Sequence, residues 1–322
     1  MARNFIQWTT PDDTHFFPAG RVELNLPPGY YSIGQDMSGL FFKRKPVRTE
    51  ALLRFPDSAS DLVIEEIETF WNKEKTFHDA DIPFKRGILL YGSPGGGKTC
   101  TIRLVIKNLV ENRSGVVVEF SSPSLLKEGY EVLRTIHTDI PIIVLMEDID
   151  AILNRYDESD VLNLLDGVYG INKVVFLATT NTPEKLGSRI MNRPSRFDKR
   201  IFIGMPSSEA RAVYLKTKLT EDAEIAQWVE DTEGFSIAHL KELYVATKIL
   251  GDSYDRALKE LKGMKKQPMS QDFDDYGVLK AEKASYGYQP SEPCCEAVDP
   301  AQIAESMSED VRFNNGRKLL LG

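Results

Sequence analysis

Residues 86–99, RGILLYGSPGGGKT, decide the fold of this chain. The apolar run Ile88 to Tyr91 reads as a buried strand, and CTIRLVIKNLV, from Cys100, reads as a helix. Between them Gly92-Ser93-Pro94-Gly95-Gly96-Gly97-Lys98-Thr99 matches G-x-x-x-x-G-K-[ST] in the strand, loop and helix setting that its mechanism needs. Glycines let backbone N–H groups wrap phosphates, Lys98 would reach the β and γ phosphates, and Thr99 would hold Mg²⁺. The positive N-terminal end of the helix faces the same anion. A plain glycine-rich turn is the alternative, and the Lys-Thr pair behind four glycines weighs against it.

Outward from this loop, GVVVEF (115–120), PIIVLMED (141–148) and KVVFLATT (173–180) are apolar runs separated by helical patterns, and KRIFIG (199–204) adds a fifth. Such runs are strands buried on both faces. Their alternation with helices predicts an α/β fold: a P-loop NTPase with a parallel five-stranded sheet flanked by helices. Four domains are expected. Residues 1–58, rich in aromatics, Pro and Gly, read as a β-rich domain, with strands at Arg21–Leu26 and Leu40–Lys43 and with LPPGYY and SIGQDMSG as turns. Residues 59–205 form the nucleotide-binding part. Residues 206–264 are all-helical and form a small lid, and 265–322 form an acidic, extended tail with some helical tendency at AQIAESM.

Carboxylates at the C-terminal end of a parallel strand face the crevice where an α/β sheet binds its ligand. Glu147 and Asp148 stand there, one to complete the Mg²⁺ shell and the other to orient water, unless they form only a solvated acidic turn. Strand geometry favours Glu147 on the metal side, with Thr99, and Asp148 on the water. The next strand ends at Asn181, a neutral polar group near the γ-phosphate. Arg193 and Arg196, three apart in NRPSRFD, suit planar recognition of phosphate charge, or form a salt-bridged surface pair.

The chain has 322 residues and a formal net charge of −8, of which −5 falls in residues 271–322 (ten acidic, five basic), so no global basic footprint for nucleic acid is present. No window approaches the run of about 20 apolar residues of a membrane helix, and the first residues lack a basic stretch followed by an apolar one. Three cysteines, two of them adjacent at 294 and 295, make no disulfide framework; a cytoplasmic location is expected.

Taken together these motifs resemble the AAA+ ATPases, and within them the AAA clade proper. GILLYGSPGGGKT is similar to the family's Walker A region, IIVLMEDIDAIL to its Walker B strand and ATTN to its sensor 1; NRPSRFD resembles its arginine-finger segment and EGFSIAHL the start of its lid helix. The resemblance runs from about Asp61 to Leu261. It implies that Asn181 is sensor 1, that Arg193 and Arg196 reach a neighbouring subunit's nucleotide, that Ala238 touches adenine and that Lys241 takes the sensor 2 position. The Glu-Asp order at 147–148 inverts the family's usual pair and, with LNLLDGV at 162–168, resembles the branch of the mitochondrial Rieske-protein translocase, whose membrane anchor is not seen. One extra residue between Asn181 and the arginines leaves open which of them is the finger. The loop that threads polypeptides in the family is shortened here; Tyr130, beside Gly129, is either its aromatic paddle or a helix-surface residue.

The resemblance implies an ATP hydrolase that binds ATP and Mg²⁺ at the subunit interfaces of a homo-oligomeric ring, expected to be a hexamer, and remodels or moves a protein substrate. A nucleic-acid-associated motor or loader and a nucleotide-gated scaffold with slow turnover are the alternatives. No membrane partner is expected.

Overall fold

The computed structural model describes residues 7–9, 17–19, 22–37, 39–47, 53–56, 59–167, 171–191, 193 and 195–265. Beyond Lys265 the expected acidic tail, with its helical tendency at AQIAESM, lies outside these residues. In chain order the elements are β1 (Gln7–Thr9), β2 (Phe17–Ala19), β3 (Gly29–Asp36), β4 (Gly39–Lys45), α1 (Ala59–Trp71), α2 (Glu74–Asp79), β5 (Lys85–Tyr91), α3 (Lys98–Arg113), β6 (Val116–Glu119), α4 (Pro123–Ile136), β7 (Ile142–Met146), α5 (Ile149–Arg155), α6 (Glu158–Asp166), β8 (Val174–Thr180), α7 (Ser188–Met191) and β9 (Lys199–Phe202). Four helices follow: α8 (Ser208–Lys216), α9 (Asp222–Asp231), α10 (Ile237–Tyr244), which runs into a π-helical turn at Val245–Ile249, and α11 (Tyr254–Lys265).

The main sheet has the order β4-β3-β6-β7-β8-β5-β9. Every neighbouring pair is parallel except β3 with β4. Because side chains alternate along a strand, the apolar runs divide between two cores. Val116, Val118, Ile142, Val144, Val174 and Phe176 join the cluster under α4 and α6. Val117, Ile143, Leu145, Val175 and Leu177 join the cluster under α1 and α3. Both faces are therefore dry, the condition a parallel sheet requires.

The five expected parallel strands are present, and the sheet is two strands wider. The described part of residues 22–28 carries no strand, while Gly29–Asp36, expected to be turns, is β3. Gly-Tyr-Tyr-Ser-Ile-Gly looks loop-like because two glycines and a serine interrupt it, but Tyr31 and Ile33 alternate into the core. Gly34 stays bare because the Phe41 ring on β4 lies over it, 2.4 Å from where a Cβ would stand. The hairpin then pairs with the edge of β6, Tyr30 beside Val117 and Ser32 beside Glu119, so it continues the same sheet. Tyr130 is also placed differently from both expectations. It is 7% exposed within α4, its hydroxyl bonded to the Asn172 backbone, so it is neither a paddle nor a surface residue.

The segment after β9 has its own core of Tyr214, Leu215, Trp228, Phe235, Leu240 and neighbours, with Leu53 and Phe55 packed on it. Serine caps start two of its helices: Ser207 Oγ accepts from Ala210 N–H at 3.1 Å and Ser236 Oγ from His239 N–H at 3.2 Å. Among the described residues no helix is long and apolar enough to cross a membrane.

Candidate active site

β5 delivers the chain into the glycine loop and α3 carries it away. Gly97 caps α3 with φ +108°, a left-handed conformation, and a Cβ there would meet nothing within 4 Å, so the space over the helix N-terminus is open. Gly95, at φ +82°, passes so close to the start of α10 that a Cβ would lie 2.8 Å from Ser236 Cβ. The loop is thus a cradle that side chains would fill, which is the fit a polyphosphate needs. Lys98 opens α3 at 8% exposure, and its ammonium donates to the carbonyls of Gly92 at 2.6 Å and Ser93 at 3.0 Å. Burial lowers its pKa to about 8, the Asp148 charge opposing the shift. Thr99 follows it, exposed on the first turn.

β7 ends at Met146, and the next two carboxylates diverge. Asp148 sits at φ +50°, its N–H donating to Thr179 Oγ1 at 3.0 Å, and Asn181 Nδ2 donates to its Oδ1 at 3.3 Å. Among the described residues Glu147 has no such bond to β8, and the Glu119 carboxylate at the end of β6 bears on it more than Asp148 does. Partial burial, then the Glu119 and Asp148 carboxylates, push its pKa above the usual range, with Lys45 and Arg103 opposing. Asp150 serves structure: it accepts from Thr180 Oγ1 at 2.9 Å and Thr182 Oγ1 at 3.3 Å.

Beside the loop lies a cavity of about 370 Å³, walled by Leu53, Phe55, Phe202, Tyr214, Ile237 and the loop glycines. Its apolar walls against a polar mouth suit a flat heterocycle joined to a charged chain. Ile237 lines it; Ala238 is exposed beside it, and Lys241 is exposed further along α10. The four wall residues Leu53, Phe55, Phe202 and Tyr214 were invisible to motif reading, because an isolated apolar residue in a strand or helix carries no local sign of lining a cavity.

The two arginines have different surroundings. Arg196 is 5% exposed and is clamped by Asp166, Nε to Oδ1 at 3.0 Å and Nη2 to Oδ2 at 2.9 Å, with Nη1 donating to Arg189 O at 2.6 Å. That bond to Arg196 is the main reason the Asp166 carboxyl is held below the ordinary range. Arg193 has a side chain 61% exposed and only approaches Asp166, at 3.7 Å. Both lie by the start of β5, where Lys85 Nζ donates to Ser195 O at 2.7 Å. The glycine loop is at the opposite end of that strand, about 20 Å away at roughly 3.3 Å per residue.

Residues 88–205, which span the loop, the carboxylates, Asn181 and both arginines, match the model of the family described as ATPase family associated with various cellular activities (AAA). Residues 88–205 are similar to an AAA ATPase domain. The chain is 30% identical over 205 residues to the cell division cycle protein 48 homolog of Archaeoglobus fulgidus, covering 56% of this chain and 27% of the relative. The probable 26S proteasome regulatory subunit 10B of Caenorhabditis elegans is 33% identical over 180 residues, covering 49% of this chain and 44% of its own. The chloroplastic ATP-dependent zinc metalloprotease FTSH 12 of Arabidopsis thaliana is 28% identical over 212 residues, 56% of this chain and 20% of its own. The chain thus spans less than half the length of each. The match to an ATPase family supports nucleotide binding and ATP hydrolysis as the chemistry of residues 88–205.

Proposed function

We propose that this chain assembles into a ring, a hexamer, binds ATP with Mg²⁺ at its subunit interfaces and uses hydrolysis to remodel or move a protein substrate. The observation that carries the reading is the placement of Arg193. It is mostly exposed, meets Asp166 only at 3.7 Å and lies by the start of β5, a strand whose length of about 20 Å separates it from the glycine loop of its own chain, so its natural target is a nucleotide on a neighbour. Arg196, by contrast, is consumed by Asp166 and positions the segment. This supports Arg193 as the finger.

Within the site, loop N–H groups and Lys98 hold the β and γ phosphates, and the cavity walled by Phe202, Tyr214 and Ile237 takes the base. Thr99 and Glu147 would hold Mg²⁺, which neutralises phosphate charge when bound. Asp148, kept in place by Asn181 and Thr179, orients water and accepts its proton. The helical region 206–264 acts as the lid, its Ser236 end against Gly95. The Glu147–Asp148 order and the 162–166 part of LNLLDGV support a place near the Rieske-protein translocase branch, and relatives named for the proteasome and for protein degradation favour a protein over a nucleic-acid substrate. Turnover measured against protein concentration, with sedimentation in parallel, tests the assembly reading. Rates per chain should rise steeply as the oligomer forms; a rate per chain independent of concentration in a strictly monomeric protein would refute it.

A further inference from the structure

The hairpin β3–β4 carries polar side chains into the row of carboxylates at the end of the sheet. Lys45 pairs across from Tyr30, Tyr30 sits beside Val117, Glu119 is two residues beyond Val117 and stands beside Leu145, and Glu147 is two residues beyond Leu145. Each step along the row is even, so Lys45, Tyr30, Glu119 and Glu147 all stand on one face. It is the face covered by α3, the helix that begins with Lys98 and Thr99. Lys45 Nζ meets Glu119 Oε2 at 2.5 Å and lies 5.3 Å from the centroid of the Tyr30 ring. Burial, then the charge of the same Glu119 carboxylate, raises the Tyr30 pKa, which places the hydroxyl near that carboxylate. Glu119 is therefore paired with the hairpin through Lys45, which offsets its negative charge beside Glu147 and Asp148.

We propose that Lys45 is a positioning residue for hydrolysis: by pinning and neutralising Glu119 it keeps the Glu147 carboxylate free to serve the metal side of the site, and it thereby ties the position of the N-terminal hairpin to turnover. This rests on the reading of Glu147 given above. Lys45 is paired with Glu119 and acts on Glu147 mainly through that pairing, its own charge adding a smaller direct influence. Once unpinned, Glu119 repels Glu147 and competes with it for a cation, a coupling that neighbouring charges in one network routinely show.

The test compares wild type, Lys45→Met, Lys45→Arg, Glu119→Gln and the Lys45→Met/Glu119→Gln double variant. Two readouts are taken on each: steady-state ATP turnover across a Mg²⁺ titration, and Mg²⁺-dependent binding of a fluorescent ATP analogue. Lys45→Met should lower kcat about fivefold or more, within the range of charge-network couplings, while affinity for the analogue at saturating Mg²⁺ stays within about twofold. Lys45→Arg should restore most of the rate, and adding Glu119→Gln should recover most of what Lys45→Met lost, since the stray charge is then gone. An unchanged kcat in Lys45→Met, or a double variant no better than the single, overturns the inference. Wild-type protein without turnover would count against the hydrolysis reading alone; the binding arm then decides, an altered Mg²⁺ half-saturation in Lys45→Met reversed by Glu119→Gln supporting the inference and an unaltered one refuting it.

Discussion

Asn181, at the end of β8, donates its side-chain amide to the carboxylate of Asp148, at the end of β7, over 3.3 Å. The two residues are 33 apart in sequence and are brought together because β7 and β8 are parallel neighbours in register, Met146 beside Ala178. The bond separates the roles of the adjacent acids, since Asp148 is fixed on the β8 side, while Glu119, at the end of β6, bears on Glu147 more than Asp148 does.

Asp148→Asn is accordingly predicted to keep Mg²⁺-dependent ATP affinity and to lose about 10²–10⁴ in turnover, the scale of a general base. Glu147→Gln should instead raise the Mg²⁺ concentration needed for half-maximal binding. A Mg²⁺ titration of binding and hydrolysis on both variants checks this, and the reverse pattern would exchange the two roles.

Lys98 links affinity to pH. Its pKa, lowered by burial to about 8, rises again when phosphate charge lies beside the ammonium, so binding takes up a proton above about pH 8. ATP affinity should be level below that value and fall as pH climbs through it. Calorimetry in two buffers of different ionisation heat should detect the uptake near pH 8.5, and Lys98→Ala should abolish it together with turnover.

Gly87 tests the packing beneath the arginine segment. A Cβ there would stand 1.7 Å from the Arg196 carbonyl oxygen, which is backbone and cannot turn aside. Gly87→Ala should cost about 1–3 kcal/mol, as overpacked positions do. Gly263→Ala is the control: nothing lies within 4 Å of its Cβ position in α11, so that change should be neutral or stabilise by up to about 1 kcal/mol. Thermal melts of both variants distinguish the outcomes.

The elements legible in the sequence are those whose chemistry is local. Gly92–Thr99 announces its loop because each residue type has one task at one spacing, and the runs at 116–119, 142–146 and 174–180 announce buried strands because both of their faces are apolar. β3 was hidden, since its glycines and serine mimic turns until Phe41 and the β6 edge are in place to cover them. The site shows the same division. Lys98, Asp148 and Asn181 could be named from motifs, whereas Glu119 and Lys45 could not, because their relevance comes from a sheet register that spans 74 residues. Nor could the motif tell Arg193 from Arg196; Asp166, at the end of α6, separates them by clamping the buried Arg196.

The central claim is that an arginine completes the site of a neighbouring chain, and mixing two inactive variants tests it most directly. Lys98→Ala lacks a working nucleotide site but keeps Arg193, and Arg193→Ala has the opposite defect. Combined after dissociation and reassembly, they should regain ATP turnover at interfaces where an intact Lys98 faces an intact Arg193, with the maximum at an intermediate ratio. Turnover that stays at the level of the separate variants at every ratio, in reassembled mixed oligomers, would contradict the account.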